Sequence, residues 1–401
     1  MNNISDVNNC YGCGVCATVC PKDIIKIELN EDGFYTPSID LVDKCTNCGL
    51  CRSVCAFLHD DLSLKDSTIV SYAGWSKNKT VRRACSSGGI GFEIGRTVLK
   101  EGYKACGVRY NTKKQRAEHY IANTVEEFIP SIGSKYIQSY TTDAFKAIDR
   151  KQKYLVTGTP CQIDSFRRYL QLFKKEDNFV LLDFFCHGVP SMLMWKKYIE
   201  SVEKKIGEPT YVTWRNKHQY GWHDSWLMGI DSGDDKKQRS ELTIEERRTK
   251  FESRWTEGDI FYQLFLENVC LGKACYEKCK YKYNSSAADI RIGDAWGSIY
   301  KNDQQGVTAA IAFTAKGIEI LKRTNCELIK HTFDEIAEGQ VKHKLSPAPQ
   351  YNMVMKNLRN QHMTIEDVYI KLRKDQKRRR IIRIICNPHM TLQRVIKRLK
   401  K

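Results

Sequence analysis

The sequence predicts an α+β / α/β protein: a small α+β module of about 60 residues, a larger α/β layer domain, and a basic helical tail. Three observations carry this. Cysteines crowd the first 55 positions at a repeated spacing. Short apolar runs that end in Gly/Pro loops and lead into helix-like segments recur between residues 71 and 345. The last 31 residues hold thirteen Lys/Arg against one acid, Asp375, so +12 of the net +18 sits there. At 401 residues and 41% hydrophobic content the chain can bury a proper core, with ~300 residues left over for one large or two ordinary domains.

The first module spans residues 1–62. Cys10, Cys13, Cys16 and Cys20 are followed by Cys45, Cys48, Cys51 and Cys55, both at Cys-x2-Cys-x2-Cys-x3-Cys, with Pro21 behind the first run. Three thiolates at that spacing can wrap one face of a [4Fe–4S] cube, and the fourth reaches the other cube of a two-cluster ferredoxin. The expected sets are therefore Cys10, Cys13, Cys16 with Cys55, and Cys45, Cys48, Cys51 with Cys20. A zinc site uses two Cys-x2-Cys pairs and does not need the third and fourth cysteines at this repeat. A disulfide scaffold fits poorly with seventeen cysteines and no basic-then-apolar leader, which point to a reducing, cytoplasmic setting. No stretch approaches the ~18 apolar residues of a membrane span. Ile24–Leu29 and Phe34–Ile39 read as strands on either side of an Asp32-Gly33 turn, and residues 61–70 as a linker.

The α/β domain, residues 71–345, follows in order. Ile90–Lys100 reads as a helix behind Cys85-Ser86-Ser87-Gly88-Gly89. Tyr154–Thr157 is a short strand, broken at Gly158-Thr159-Pro160-Cys161 and followed by a helix from Gln162 to Leu172. Phe179–Phe185 is a second strand, ending at Cys186-His187-Gly188-Val189-Pro190, after which Ser191 caps a helix from Met192 to Lys205. Asp289–Asp294 alternates as a half-buried strand would, and Val307–Phe313 leads into a helix from Lys316. Residues 231–250 are polar and charged, a surface insertion.

Ligands in α/β sheets bind beyond the carboxyl ends of strands, where Cys161 and Cys186 both fall. Cys275 and Cys279 stand four apart and would share one face if helical. These four thiols could hold a third [4Fe–4S] cluster, or Cys161 and Cys186 could be buried packing residues. Ser86–Gly89 at a helix start suits a phosphate, or is an ordinary capped helix; it is not the Rossmann fingerprint. Trp214–His223 crowds cations and aromatics, which fits a planar anionic ligand, an interdomain surface or a solvated face.

Taken together, Ser86-Ser-Gly-Gly89, Gly133-Ser-Lys-Tyr136 with Gln138-Ser139, Gly158-Thr-Pro-Cys-Gln162, Cys186-His-Gly-Val-Pro-Ser191, Cys275-Tyr276 with Cys279-Lys-Tyr281, and Asp289–Asp294 with Trp296-Gly297 resemble the coenzyme F-420 hydrogenase/dehydrogenase beta-subunit family. The ordered succession covers roughly residues 71–315; the tail lies beyond it. The resemblance implies a flavin- and iron–sulfur-binding oxidoreductase domain. FAD would contact Ser86, Ser87, Gly88, Gly89, Lys135, Tyr136, Gln138, Ser139, Gly158, Thr159 and Pro160, and a cluster would sit on Cys161, Cys186, Cys275 and Cys279. One departure is the last pair, Cys-x3-Cys here and usually Cys-x2-Cys. Implied partners are a ferredoxin-like protein or a reduced coenzyme, and a small-molecule substrate. Scattered bacterial members imply a surface-polysaccharide context without the deazaflavin.

Two further readings stand beside an electron-transferring flavoenzyme. One is a non-catalytic electron-transfer subunit of a larger redox complex; the other is a redox-sensing nucleic-acid binder, for which a short tail without a recognisable fold is a weak basis. Residues 346–401 form the expected tail, where Arg378–Ile385 and Leu392–Lys401 mix cations with aliphatics. That composition suits docking on an anionic membrane surface.

Overall fold

A computed structural model describes residues 2–65, 67–233 and 249–386. In the N-terminal module, two short helices, Val15–Val19 and Leu50–Ser53, each begin at a glycine in the left-handed region, Gly14 (φ 72°) and Gly49 (φ 76°). Any side chain there would strain the backbone, so the doubled cysteine motif carries a doubled glycine turn. Strands β1 (Ile25–Leu29) and β2 (Tyr35–Ile39) pair antiparallel, and Asn30 Oδ1 accepts from the backbone N–H of Asp32 and Phe34 in the connecting turn.

The body holds β3 (Val70–Ser76), β4 (Lys104–Asn111), β5 (Arg116–Ala122), β6 (Ser139–Tyr140), β7 (Tyr154–Thr157) and β8 (Phe179–Phe184). It continues with β9 (Pro209–Thr213), β10 (Leu227–Ser232), β11 (Phe251–Arg254), β12 (Ile290–Asp294), β13 (Thr308–Ala312) and β14 (Cys326–His331). Nine of these form one mixed sheet in the order β14-β3-β13-β12-β8-β7-β4-β5-β6, while β11-β10-β9 make a small antiparallel sheet. The centre is parallel: β4 with β7, β7 with β8, and β8 with β12. Central parallel strands are covered on both faces, which is why Tyr154-Leu-Val and Phe179-Val-Leu-Leu read as unbroken apolar runs and are buried throughout.

The helix after β7 runs Pro160–Leu172, starting two residues earlier than the sequence suggests. Pro160 occupies a favoured first-turn position and Thr159 with Gln162 closes a capping box. The helix after β8, Met192–Ile206, is capped by Ser191 as expected, its side chain accepting from Leu193 N–H.

Two packing results depart from the sequence reading. The boundary at 62 marks a change of motif, not of core: Ile25, Ile27 and Tyr35 share a buried cluster with Phe145, Phe166 and Leu170. Phe34 joins the cluster of Trp195 and Phe265, and Gly33 O accepts from Met192 N–H at 2.9 Å. The tail also begins later than residue 346. Helices Tyr351–Arg359 and Ile365–Cys386 send Val354, Leu358, Ile365, Val368 and Leu372 into that second cluster. Their helical spacing is diluted by surrounding charges, so the sequence reads as uniformly basic. Of the expected insertion, Asp231 and Ser232 belong to β10, and Lys250 bonds back to both. Positions 234–248 and the expected Leu392–Lys401 helix lie outside the described residues. Among the described residues no helix is long and apolar enough to cross a membrane.

Candidate functional site

Three sets of four cysteines ring three voids. Cys10, Cys13, Cys16 and Cys55 surround one of about 340 Å³, walled by Ile4, Ile27 and Phe57. Cys20, Cys45, Cys48 and Cys51 surround a second of about 370 Å³ under Asn2, Asn3 and Ile39. Both groupings are the crossed sets expected from the repeat. The second is nearer the surface: Cys48 is exposed and Cys20 and Cys45 are partly so, whereas Cys13, Cys16 and Cys55 are buried. Asn3 Nδ2 donates to Cys45 Sγ and Gly12 N–H to Cys10 Sγ, each at 3.4 Å.

The third void, about 660 Å³ and partly open, lies at the carboxyl ends of β7 and β8 and is lined by Cys161, Cys186, Cys275 and Cys279. Cys161 sits in the first turn of the 160–172 helix, and Cys186 follows β8. Cys275 lies in the helix Lys273–Glu277, which ends before Cys279. The pair therefore does not share a helical face; the extra residue of Cys-x3-Cys is taken up in the turn. Cys10 and Tyr11 line both this void and the first, so the two are neighbours across a shared wall.

The electrostatics of these thiols point one way. Burial pushes Cys10, Cys55 and Cys275 up to about 12. Cys16 and Cys161 rise well above the ordinary thiol value, first by burial and then by the neighbouring thiols of their own sets. Burial also raises Cys13, Cys51 and Cys186, and a positive centre is what favours the thiolate of such a cysteine. Among the described residues no three Cys, His, Asp or Glu side chains converge as for a single ion. Each set of four cysteines lines one void, and four thiols are the donor set of a [4Fe–4S] cube.

The residues suggested for a flavin gather less simply. Ser87 Oγ donates to Val307 O at 2.8 Å, Gly88 N–H to Thr308 Oγ1 at 2.9 Å, and Ser86 Oγ accepts from Ser134 N–H at 3.0 Å. A Cβ at Gly88 would stand 2.4 Å from Gly74 O, so this glycine lets the segment press against β3. Gln138 accepts from Tyr35 N–H and donates to Tyr11 O, fastening the N-terminal module to the body. Ser139 Oγ accepts from Gln162, whose Oε1 accepts from Thr159 N–H. Ser87 Oγ, Gly88 N–H and the Gln138 amide thus donate within the protein.

Cations gather around Ser86–Gly89, beside the carboxylates of Glu93 and Asp294. Lys217 Nζ donates to Ser87 O, and burial lowers its pKa to about 8. Lys135 Nζ donates to Pro130 O and Ile132 O; burial lowers its pKa to about 7, and Cys85 is the charge partner that raises it. No carboxylate pairs with Lys135 among the described residues. Arg215 is buried between Trp226 and Trp296, bonded to Tyr136 Oη and Asp294 Oδ2, each at 3.1 Å. An anion beside Cys85 would raise the pKa of both lysines again, so an anion here would be held by charge more than by the Ser-Gly turn. Sequence reasoning noticed the Trp214–His223 cluster but not that its Lys217 meets Ser87.

Two family models match parts of this chain. Residues 151–333 match the carboxy-terminal part of the coenzyme F420 hydrogenase/dehydrogenase beta subunit, and residues 9–57 match a 4Fe-4S dicluster domain. No curated protein matches the chain. Among solved structures, a chain of the F420-reducing [NiFe] hydrogenase complex from Methanosarcina barkeri is similar, with 17% identity and a TM-score of 0.43, covering 79% of this chain and 94% of that one.

Proposed function

We propose that this chain, which belongs to the coenzyme F420 hydrogenase/dehydrogenase beta-subunit family and opens with a 4Fe-4S dicluster domain, is a flavin-dependent iron–sulfur oxidoreductase. The observation that carries the reading is the adjacency of the cysteine-lined voids: the first and third share Cys10 and Tyr11, and the second lies nearest solvent. The residues that would hold the N-terminal clusters are the two crossed sets, and Cys161, Cys186, Cys275 and Cys279 would hold a third. FAD would set its pyrophosphate beside Lys135 and Lys217. Clusters supply one-electron steps and a flavin joins them to two-electron chemistry.

The protein's own part is placement. The 160–172 helix fixes Cys161 against the N-terminal module through Ser165 Oγ, which accepts from Ala56 N–H at 3.1 Å. Lys282 Nζ bonds Cys186 O and His187 O, tying the loop after β8 to the segment behind Cys279. Anaerobic reconstitution of the full chain should give one non-covalent FAD per chain and reduction of artificial dyes. Iron incorporation with no flavin at any concentration would overturn the flavin half of the reading. It would favour the electron-transfer subunit instead.

A contact with an anionic membrane surface is favoured by one feature of the last helix. Its first half buries Ile365, Val368 and Leu372 against the body, whereas Ile381, Ile382, Ile384 and Ile385 are exposed among Arg378, Arg379, Arg380 and Arg383. Such a mixture binds through apolar insertion plus attraction to anionic lipid. Flotation with anionic but not neutral vesicles, lost on deleting residues 378–401, is the expected result; binding to neither refutes it.

A further inference from the structure

On the helix that brings Cys161 to the third void lies a buried carboxylate that the cysteine sets do not use. Asp164 is fully buried in the middle of the 160–172 helix, one turn from Cys161. Residues three and four apart share a helical face, so Asp164 and Ser165 stand on the side that carries Cys161. Asp164 Oδ1 accepts from Ser63 N–H at 2.9 Å, and Oδ2 accepts from Tyr281 Oη at 2.7 Å. Lys280 Nζ approaches Oδ2 at 3.5 Å and Arg168 Nε approaches Oδ1 at 3.6 Å. Two donors and two cations thus surround its two oxygens.

Its surroundings connect the first and third voids. Tyr281 packs edge-on against Tyr11, with ring centres 5.8 Å apart, and both line the third void. Tyr11 also lines the first, and its hydroxyl donates to Lys278 O at 2.5 Å. Asp164 thus meets the third void through Tyr281, whose hydroxyl it holds, and through its own helix, which carries Cys161. Among the described residues that line the second void there is Lys22 but no carboxylate, beside Pro21, Ile24, Ile39 and Leu50.

We propose that Asp164 is a positioning and potential-setting residue: a fixed negative charge that makes the cubes held by the first and third cysteine sets harder to reduce, leaving the second unaffected. The inference rests on the three-cluster reading above. Adding an electron beside a permanent anion is disfavoured, and net charge is one of the terms that set cluster potentials. A unit charge about 10 Å away at an effective dielectric of ~20 changes such an equilibrium by about tenfold, or ~59 mV for one electron.

The test is a redox titration of the anaerobically reconstituted full chain, followed by electron paramagnetic resonance. Iron content and three reducible signals in the unmodified protein examine the three-cluster reading; midpoints in the variants examine the role of Asp164. Asp164→Asn keeps one acceptor oxygen, for Ser63 N–H, and turns its amide to Tyr281 Oη, which can accept in its turn, while the charge is removed. It should raise the midpoints of the first and third signals about tenfold in equilibrium terms, with the second signal, assigned by Cys48→Ser, unmoved. Tyr281→Phe, which keeps the anion but removes one donor, should move the same two midpoints slightly down, and serves if Asp164→Asn does not assemble. Midpoints unchanged in fully loaded variants, or all three moving together, would overturn the proposal.

Discussion

The strongest structural commitment in the body is the Asp183–Arg291 pair, and its removal has a magnitude that can be worked out. The two residues lie directly opposite in the parallel β8–β12 register. Arg291 Nε and Nη2 donate to the two Asp183 oxygens at 2.8 and 2.7 Å, with both side chains fully buried. Ser286 Oγ donates to Asp183 Oδ2, and Arg291 Nη1 donates to Tyr281 O and Tyr283 O. The pair thus fastens the strand that leads to Cys186 to the loop that follows Cys279. Asp183→Ala leaves a guanidinium buried with two carbonyls and no anion, a loss of ~3–5 kcal/mol. That is a large share of a stability of ~5–15 kcal/mol. Asp183→Ala with Arg291→Met removes the stranded charge, leaving mainly the two lost carbonyl contacts at ~1 kcal/mol each. Urea unfolding of the iron-free protein, followed by tryptophan fluorescence, measures both. The double variant should be the more stable of the two. The reasoning is refuted if the single variant loses less than ~1 kcal/mol, or if the double variant is no better than the single.

Two other expectations concern the sites. Cys20→Ser should abolish the signal of the Cys45, Cys48, Cys51 set and leave that of Cys10, Cys13, Cys16, since the structure places Cys20 on the second void; loss of the opposite signal would reverse the assignment. Lys135→Met should weaken FAD binding and flatten its pH dependence. In the free protein burial holds Lys135 near 7, so above that pH anion binding must take up a proton, and affinity should fall by up to tenfold per pH unit. Lys217, held near 8, adds to the slope above that value. Fluorescence titration with FAD between pH 6 and 9 reads this directly, and a slope unchanged in Lys135→Met would refute it.

The doubled cysteine motif was legible because its spacing alone dictates which thiols can share a cube, and the voids group the same residues. Strands β7 and β8 were legible as apolar runs, and Ser191 as a cap. The core role of residues 351–372 was not, because a few buried side chains spread over two charged helices leave little local signal. Ser86–Gly89 could be read two ways for a physical reason: small residues that admit a phosphate also admit a neighbouring strand, and here Gly88 meets β3. Asp164 was missed although its three-residue offset from Cys161 within a helix was readable. What could not be read was that Tyr281, from a distant loop, would meet it.

The central claim is that Cys161, Cys186, Cys275 and Cys279 hold a cluster beside the N-terminal pair. Iron content and resonance spectra of full-length Cys161→Ser, reconstituted beside the unmodified chain, test it most directly. A cube deprived of one thiolate is expected to be lost, so iron should fall from ~12 to ~8 per chain while the two N-terminal signals persist. Equal iron in both proteins would contradict the claim and return Cys161 to the buried packing role that cysteine often fills.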